Sequence, residues 1–180
     1  MFSSQEDQTL AIARLTRPHG VHGELSAIAH VPPVVDLPGL IRQPLTLRSP
    51  KGWVRTVQGE SARPHTGRWL IKLAGVHSRN EAESLREHEL CLRRDQLPEL
   101  PEGWFWEADL LGSQVIDENL GTLGEVQSLE ADLPQARLTI RRPNGGEAHI
   151  PWRKVYIHRV DLAEQTIHVD LPAEFPGISD

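Results

Sequence analysis

In the stretch TLAIARLTRPHGVHGELSAIAHV, residues 9–31, a glycine-containing loop lies between two short segments in which apolar residues occupy alternate positions. Apolar residues recur at every second position from Leu10 to Ile12 and again from Leu25 to Val31. Because neighbouring side chains of a strand point to opposite faces, this period indicates two strands that each bury one face. The intervening RPHGVHG, residues 17–23, carries a proline and two glycines and is typical of a loop.

Short apolar runs separated by turn-forming residues continue along the rest of the chain. Among 180 residues there are 14 Gly and 14 Pro, and 38% are hydrophobic, which suits small cores rather than one large core. This composition favours β-sandwiches or barrels over helical bundles. Ser49–Gly52 has the residues of a type I turn, and Asn144–Gly145 is the strongest short hairpin signal. We therefore expect an all-β fold.

One short helix is expected to interrupt the strands. Ser78 and Glu81 have the spacing of a capping box, and the helix is predicted to end near Glu87. Pro38–Gly39 is interpreted as a turn. The last residues, 171–180, are expected to be loosely held.

A proline-rich acidic segment, LPELPEG at residues 97–103, separates two halves of the chain. Proline does not fit a central strand, and the two prolines stiffen the segment. The predicted organisation is a first domain over residues 1–97, a linker over 98–103 and a second domain over 104–180. Within the second domain, Gly124 marks a bulge or a close backbone approach.

Charge is divided unevenly between the two halves, although the formal net charge is −6. Residues 1–98 hold 13 Lys and Arg against 10 Asp and Glu, a balance of +3, whereas residues 99–180 hold 6 against 15, a balance of −9. This asymmetry suggests an anionic or neutral partner for the first half and a basic partner for the second. The alternative is that the acidic side chains simply aid solubility.

The sequence predicts a cytoplasmic protein. Met1–Asp7 has neither the basic nor the apolar region of a secretion signal. No apolar run approaches the ~20 residues that cross a bilayer. The single Cys91 fits a reducing compartment.

Few residues form a motif with a chemical role. His19, His22 and Glu24 could bind a metal, but a zinc site needs a further ligand and no matching His or Cys pair stands out. Cys91 lies in a predicted strand between two leucines and is interpreted as a buried, inert thiol. Nucleophile-elbow, Walker and dinucleotide motifs are lacking. We therefore expect no metal, no cofactor and no catalytic residues.

Three consecutive aromatic residues, Trp104-Phe105-Trp106, follow the linker. Neighbouring side chains in an extended segment point in opposite directions, so at least one ring is expected to be exposed or packed against the other domain. Exposed rings favour binding hot spots, and the acidic surroundings suggest a basic partner. The alternative is that the rings fill the seam between the two domains.

Several segments together resemble the RimM family of ribosome maturation factors. They are ARLTRPHGVHGEL at 13–25, LAGV at 73–76 with RNEAE at 79–83, FWEADLLG at 105–112, and LGEV at 123–126 with IPW at 150–152 and VD at 160–161. Their order and spacing, which cover most of the chain, are more specific than any one segment. The resemblance implies an N-terminal split β-barrel, like those of translation factors and reductases, followed by a C-terminal PRC β-barrel.

The resemblance also implies a function and its partners. A monomeric, non-catalytic factor would bind the immature small (30S) ribosomal subunit, assist assembly of its head and 16S rRNA processing, and contact the basic head protein uS19. Contacts to this protein are expected at Trp104, Phe105, Trp106 and Asp109. Contacts to the subunit or its rRNA are expected at Arg14, Arg17, His19, Gly20, His22 and Gly23.

One departure from the family affects the aromatic site. The family commonly has two tyrosines where this chain has Phe105 and Trp106, so both phenolic hydroxyls are missing and only the indole N–H of Trp106 remains as a donor. Two other classes of function remain as alternatives. One is a flavin-binding split-barrel oxidoreductase, which a visible absorption spectrum would reveal. The other is a metal-dependent hydrolase that uses His19, His22 and Glu24.

Overall fold

The chain folds into two compact units, residues 1–104 and 105–180. The structure, a computed structural model, describes residues 9–130 and 136–178. The expectations for Met1–Asp7 and for the last two residues therefore lie outside the described part of the chain. The two units are taken in turn.

The first unit is a small closed barrel built from six strands within residues 9–93. They are β1 Thr9–His19, β2 Glu24–Ala29, β3 Pro44–Arg48, β4 Val54–His65, β5 Arg68–Leu73 and β6 Glu89–Arg93. Each strand is antiparallel to its neighbours in the order β1-β2-β5-β4-β3-β6, and β6 pairs with β1 to close the barrel. The buried apolar side chains of this unit include Ile12, Leu15, Leu25, Leu45, Leu47, Leu70, Ile71, Leu90 and Leu92.

Where the sequence predicted one helix, the described part of the chain has three short α-helices, α1 Leu37–Ile41, α2 Arg79–Glu83 and α3 Glu107–Leu110, and a 3₁₀ helix at Arg94–Gln96. The capping box of α2 is confirmed, because Ser78 Oγ accepts from Glu81 N and Glu81 Oε2 accepts from Ser78 N at 2.9 Å. No helix in residues 9–130 and 136–178 is long and apolar enough to cross a membrane.

The interpretation of Pro38–Gly39 as a turn is wrong, because both residues lie inside α1. Proline is favoured in the first turn of a helix, where its missing N–H would have no intrahelical partner. Leu40 and Ile41 follow at helical spacing and are buried. The sequence signal for a turn therefore marked the beginning of a helix.

The second unit contains six strands, again within the described residues. They are β7 Gln114–Asp117, β8 Gly121–Glu130, β9 Arg137–Arg141, β10 Glu147–Pro151, β11 Ile157–Asp161 and β12 Thr166–Val169. The order in the sheet is β10-β9-β8-β7-β12-β11, with β12 parallel to β7 and the other pairs antiparallel. The all-β prediction is confirmed for both units.

Two turn and bulge predictions in the second unit are confirmed. The Asn144–Gly145 hairpin joins β9 to β10, and Gly145 has a positive φ of 85°. Gly124 lies at a register shift between β7 and β8. A Cβ atom there would come within 2.3 Å of the Arg141 carbonyl oxygen, so the close backbone approach requires glycine.

The end of the chain is not loosely held. Leu171, Phe175 and Ile178 are buried in the core of the second unit, so the expectation for residues 171–178 is wrong. The segment lacks the alternation of a strand, but its widely spaced apolar side chains still find places in the core. Periodicity alone could not reveal this packing.

A buried carboxylate attaches this final segment to the sheet. Asp117 Oδ1 accepts from the backbone N–H groups of Asn119 and Leu120 at 2.8 and 2.9 Å, and Oδ2 accepts from Leu171 N at 2.8 Å. Burial would raise the pKa of Asp117, but these three donors hold it below its ordinary value. One side chain therefore fixes both the β7–β8 turn and the start of the last segment.

Replacing Asp117 with Asn is expected to lower the free energy of unfolding by roughly 2–3 kcal/mol, because one of the two carboxylate oxygens that accept from the three backbone donors becomes an NH₂ group. The folded pKa lies below the unfolded value, so the contribution is present above about pH 4 and is lost as the pH falls through the folded pKa. Urea unfolding from pH 7 to pH 3 should show the native–variant difference shrinking in acid. The exposed neighbour Glu118→Gln serves as the control, and an equal effect of both substitutions would contradict the assignment.

Candidate functional site

A bulge in β1 turns two arginines of the first unit to the same face. The register with β2 shifts between Leu15 and Arg17, and Thr16 Oγ1 donates to the Ser26 carbonyl at 3.0 Å. In a regular strand, side chains three positions apart point to opposite faces. The extra residue of a bulge between them turns both side chains to the same face. Arg14 and Arg17 are accordingly both exposed while Leu15 is buried.

The two arginines differ in their partners. Arg14 Nη1 lies 3.6 Å from the Glu87 carboxylate, and both side chains are roughly half exposed. Arg17 makes no ion pair with the described residues. Its charge is therefore the more available of the two for an anionic partner.

Backbone contacts hold the loop between β1 and β2, residues 20–23, in place. Lys72 Nζ donates to the His22 carbonyl at 2.5 Å and also to the Val76 carbonyl. Gly23 has a φ of +79°, and a Cβ atom on it would lie 2.3 Å from the Val76 oxygen. The loop therefore rests directly on the segment before α2, and only glycine fits at the contact.

The loop histidines and Glu24 do not converge on one point. The His19 ring meets the His65 ring edge to face with centroids 4.9 Å apart, while His22 is exposed. The Glu24 carboxylate accepts two hydrogen bonds of 3.0 Å from Arg63 Nη2. Residues 9–130 and 136–178 contain no group of three or more His, Cys, Asp and Glu side chains that could hold a metal ion.

Cys91 has the environment that the sequence indicated. It lies in β6 and is fully buried, and burial raises the pKa of its thiol to about 11. A thiol with such a pKa carries almost no thiolate at neutral pH. The prediction that Cys91 is buried is confirmed, and the raised pKa agrees with the interpretation of an inert thiol.

The three consecutive aromatic residues occupy three different environments. Trp104, the last residue of the first unit, is 41% exposed. In the second unit, Phe105 is half-buried against the core, and Trp106 is only 5% exposed. The prediction that at least one of the three rings stays exposed is confirmed.

Phe105 forms a pair with an aromatic residue that sequence reasoning did not select. Its ring meets the ring of Trp152 edge to face, with centroids 6.0 Å apart and an angle of 72°. Trp152 follows Pro151 at the end of β10 and is half-buried. Its backbone N–H donates to the Ala136 carbonyl at 2.8 Å. The sequence did show an aromatic residue directly after the proline that ends a strand. It could not show the ring contact with Phe105, because the two residues are 47 positions apart.

Two acidic residues of α3 follow the aromatic segment. Glu107 Oε1 accepts from the backbone N–H of Leu129 at 3.0 Å and so fastens α3 to β8. Asp109 is half-exposed on the same short helix. The Phe105–Trp152 pair, defined by these two rings, therefore lies beside a segment with a structural carboxylate and a second carboxylate that reaches solvent.

These features define an all-β protein that joins a small closed barrel, with a rigid glycine–histidine loop, to a second β unit with an aromatic pair. The family model of the RimM N-terminal domain matches residues 10–97, and that of the RimM PRC barrel domain matches residues 107–175. The chain belongs to the RimM family.

Two relatives of known family agree with this assignment by their sequences. The ribosome maturation factor RimM of Nitratidesulfovibrio vulgaris is 35% identical over 95% of this chain and 94% of its own length. That of Oleidesulfovibrio alaskensis is 31% identical over 96% and 95%. A solved structure of a 16S ribosomal RNA processing protein RimM from Pseudomonas aeruginosa is 25% identical, covers 93% of this chain and 99% of that one, and has a TM-score of 0.47. The names of the first two relatives describe a ribosome maturation factor.

Substituting Gly23 with Ala is expected to destabilise the first unit by roughly 3 kcal/mol or more, because left-handed strain is added to a clash with the Val76 backbone. Gly20→Ala is the matched control, since Gly20 has a φ of +64° but no atom within 4 Å of its Cβ position. Its expected cost is about 1–2 kcal/mol from strain alone. Urea unfolding measures both, and equal values would show that the contact with Val76 is unimportant.

Proposed function

We propose that this chain is a non-catalytic assembly factor that binds the immature 30S subunit in the cytoplasm, as a monomer, during maturation of its head and 16S rRNA processing. The second unit contacts a basic ribosomal protein of the head, uS19, and the first unit lies beside rRNA. Membership of the RimM family supports the general role. The observation that carries the partner contact is the half-buried Phe105–Trp152 pair on an acidic unit.

The charge of the second unit supports a basic partner. Residues 105–180 contain 13 Asp and Glu against 6 Lys and Arg, a balance of −7. Several of these carboxylates already pair within the unit, such as Glu130 with Arg137 at 2.8 Å and Glu125 with Arg141 at 3.4 Å. The excess that remains would steer a cationic protein towards this unit and reject anionic ones.

The aromatic residues would divide two tasks between them. Phe105 and Trp152 are each partly exposed, so a partner can cover the remaining ring surface and gain apolar burial. Trp104 offers a further exposed ring. Trp106 has almost no free surface, so we assign it the role of positioning α3 and its neighbour Phe105 rather than direct contact.

The first unit would meet rRNA through the residues around its rigid loop. Arg17 is exposed without a carboxylate partner in the described chain, and Arg14 lies on the same face. His19, Gly20, His22 and Gly23 complete the surface, with the loop conformation fixed by Lys72 and Val76. Arginines on a prearranged backbone suit phosphate contacts, which position a protein on RNA without reading its sequence.

Phe105→Ala is expected to weaken binding to immature 30S subunits on the order of 30-fold, the effect of removing one aromatic hot spot. Co-sedimentation with subunits from cells that lack the factor measures this change. Leu162→Ala, which removes another exposed apolar side chain of the second unit, is the matched control. Native-like binding of the Phe105 variant would refute the aromatic contact.

The Trp106→Ala variant tests whether Trp106 positions α3 and Phe105 or contacts the partner directly. Because Trp106 is buried, its removal should lower the midpoint of thermal unfolding, whereas Phe105→Ala should change it much less. Loss of subunit binding by the Trp106 variant at full stability would assign Trp106 a contact role instead.

Binding to the subunit is expected to weaken as salt is raised from about 50 to 500 mM, because the Debye length falls several-fold over this range. Asp109→Asn should reduce the association rate and flatten this salt dependence. The exposed Glu118→Gln removes the same charge elsewhere in the unit and controls for net charge. Stopped-flow association with isolated uS19 gives the rates, and an identical response of the two variants would place the contact away from α3.

A further inference from the structure

An exposed tryptophan lies directly before β4, away from the glycine–histidine loop in sequence. Trp53 is 44% exposed and directly follows the Ser49–Gly52 turn. That turn is closed by a 3.0 Å hydrogen bond from Gly52 N to the Ser49 carbonyl. Ser49 Oγ also accepts from the backbone N–H groups of Lys51 and Trp53, each at 3.2 Å. The backbone that presents the ring is therefore fixed.

A cation lies over this ring. The Arg55 Cζ atom is 5.5 Å from the centroid of the Trp53 ring, and Arg55 is exposed. Arg55 makes no ion pair with any residue of the described chain. The nearby Arg48, in contrast, pairs with Glu89 at 3.4 Å. The guanidinium beside Trp53 thus keeps its full charge for a partner.

A buried histidine supports the edge of the same ring. His88 is 7% exposed, and its ring meets that of Trp53 at 61° with centroids 5.1 Å apart. Its Nδ1 lies 3.0 Å from the Arg86 carbonyl, which can only accept, so Nδ1 carries the proton. Nε2 is then an acceptor, and it is buried without a donor among the described residues. The buried imidazole therefore fixes the edge of the exposed Trp53 ring.

We propose that Trp53 is a stacking platform for one unpaired base of single-stranded RNA, and that Arg55 binds the phosphate next to that base. An aromatic ring with an adjacent free cation is the usual arrangement for single-stranded nucleic acid, because every base offers a π-face and every nucleotide a phosphate. The proposal rests on the proposed function, which brings this unit beside rRNA. It adds a base contact at residues distinct from the phosphate-contacting loop.

Charge favours RNA over a protein segment as the occupant. Residues 1–98 have a balance of +3, and the cations around Trp53 include the exposed Lys51 as well as Arg55. A basic protein would be repelled by this surface. An acidic peptide could pair with Arg55, but it would leave the flat face of Trp53 without a matching planar group.

The test measures binding of the full chain to a fluorescein-labelled, unstructured 12-nucleotide RNA by anisotropy at low salt. Trp53→Ala should weaken binding about 5- to 50-fold, as expected for the loss of one stacked base, whereas Trp53→Phe should stay within about threefold of the native chain. Arg55→Gln should reduce the slope of log K against log salt by about 0.7, the value for one phosphate of a single strand. Val34→Ala and Arg93→Gln are the controls, since Val34 is another exposed apolar residue and Arg93 is already paired with Asp95.

Two results would overturn the stacking site: no RNA binding by the native chain up to about 100 µM, or equal binding by the native chain and Trp53→Ala. Loss of subunit co-sedimentation by Trp53→Ala with unchanged RNA binding would identify a protein contact instead. The same variants tested alongside Phe105→Ala separate the two proposals. If Phe105→Ala abolishes subunit binding but Trp53→Ala leaves RNA binding unchanged, the proposed function stands and the stacking site is refuted. If Trp53→Ala weakens RNA binding but Phe105→Ala leaves subunit binding unchanged, the stacking site stands and the aromatic contact of the proposed function is refuted.

Discussion

The contact between Gly23 and the backbone of Val76 determines the shape of the loop between β1 and β2 at one end of the first barrel. No side chain fits between these two backbones, so the loop after β1 lies flat on the segment that leads into α2. Lys72 Nζ donates to the His22 and Val76 carbonyls on the two sides of this contact and adds a positive charge there. The bulge at Thr16 then turns Arg14 and Arg17 outward on the strand that feeds this loop. The packing of Gly23 on Val76 therefore also determines where the cations Lys72, Arg14 and Arg17 lie on the surface.

The two units differ in charge in a way that would suit two kinds of partner. In the first unit, Arg17 and Arg55 have no carboxylate partner among the described residues and lie at two separate places on the surface. The second unit carries an acidic excess beside the Phe105–Trp152 pair. A ribonucleoprotein surface contains both polyanionic RNA and basic protein, so one chain with this division can touch both without competition between its own halves.

Sequence patterns were sufficient for the strands and turns that depend on neighbouring residues. The alternation around Leu25, the Ser78–Glu81 capping box and the Asn144–Gly145 hairpin are local signals, and the structure has each of them. The errors fall where tertiary packing decides. Pro38 lies in the first turn of α1 because the helix buries Leu40 and Ile41 in the core. The final segment is held because Asp117 accepts a hydrogen bond from Leu171 N.

The candidate sites divide in the same way. Trp104, Phe105 and Trp106 could be selected by type, but which of them is buried depends on contacts that no spacing reveals. Trp152 became visible only through its ring contact with Phe105, and Arg55 only through its position over Trp53. Residue type therefore indicates the kind of surface, and the fold decides which members of that surface meet a partner.

The placement of β12 has a consequence for synthesis of the chain. This strand follows β7 to β11 along the chain, yet it lies inside the sheet, parallel to β7 and next to β11. During synthesis the first barrel is complete once β6 has emerged, whereas β7 keeps a bare edge until residues 166–169 arrive. A nascent chain that stops before residue 166 would therefore display an unpaired, partly apolar strand edge that is capable of joining another chain.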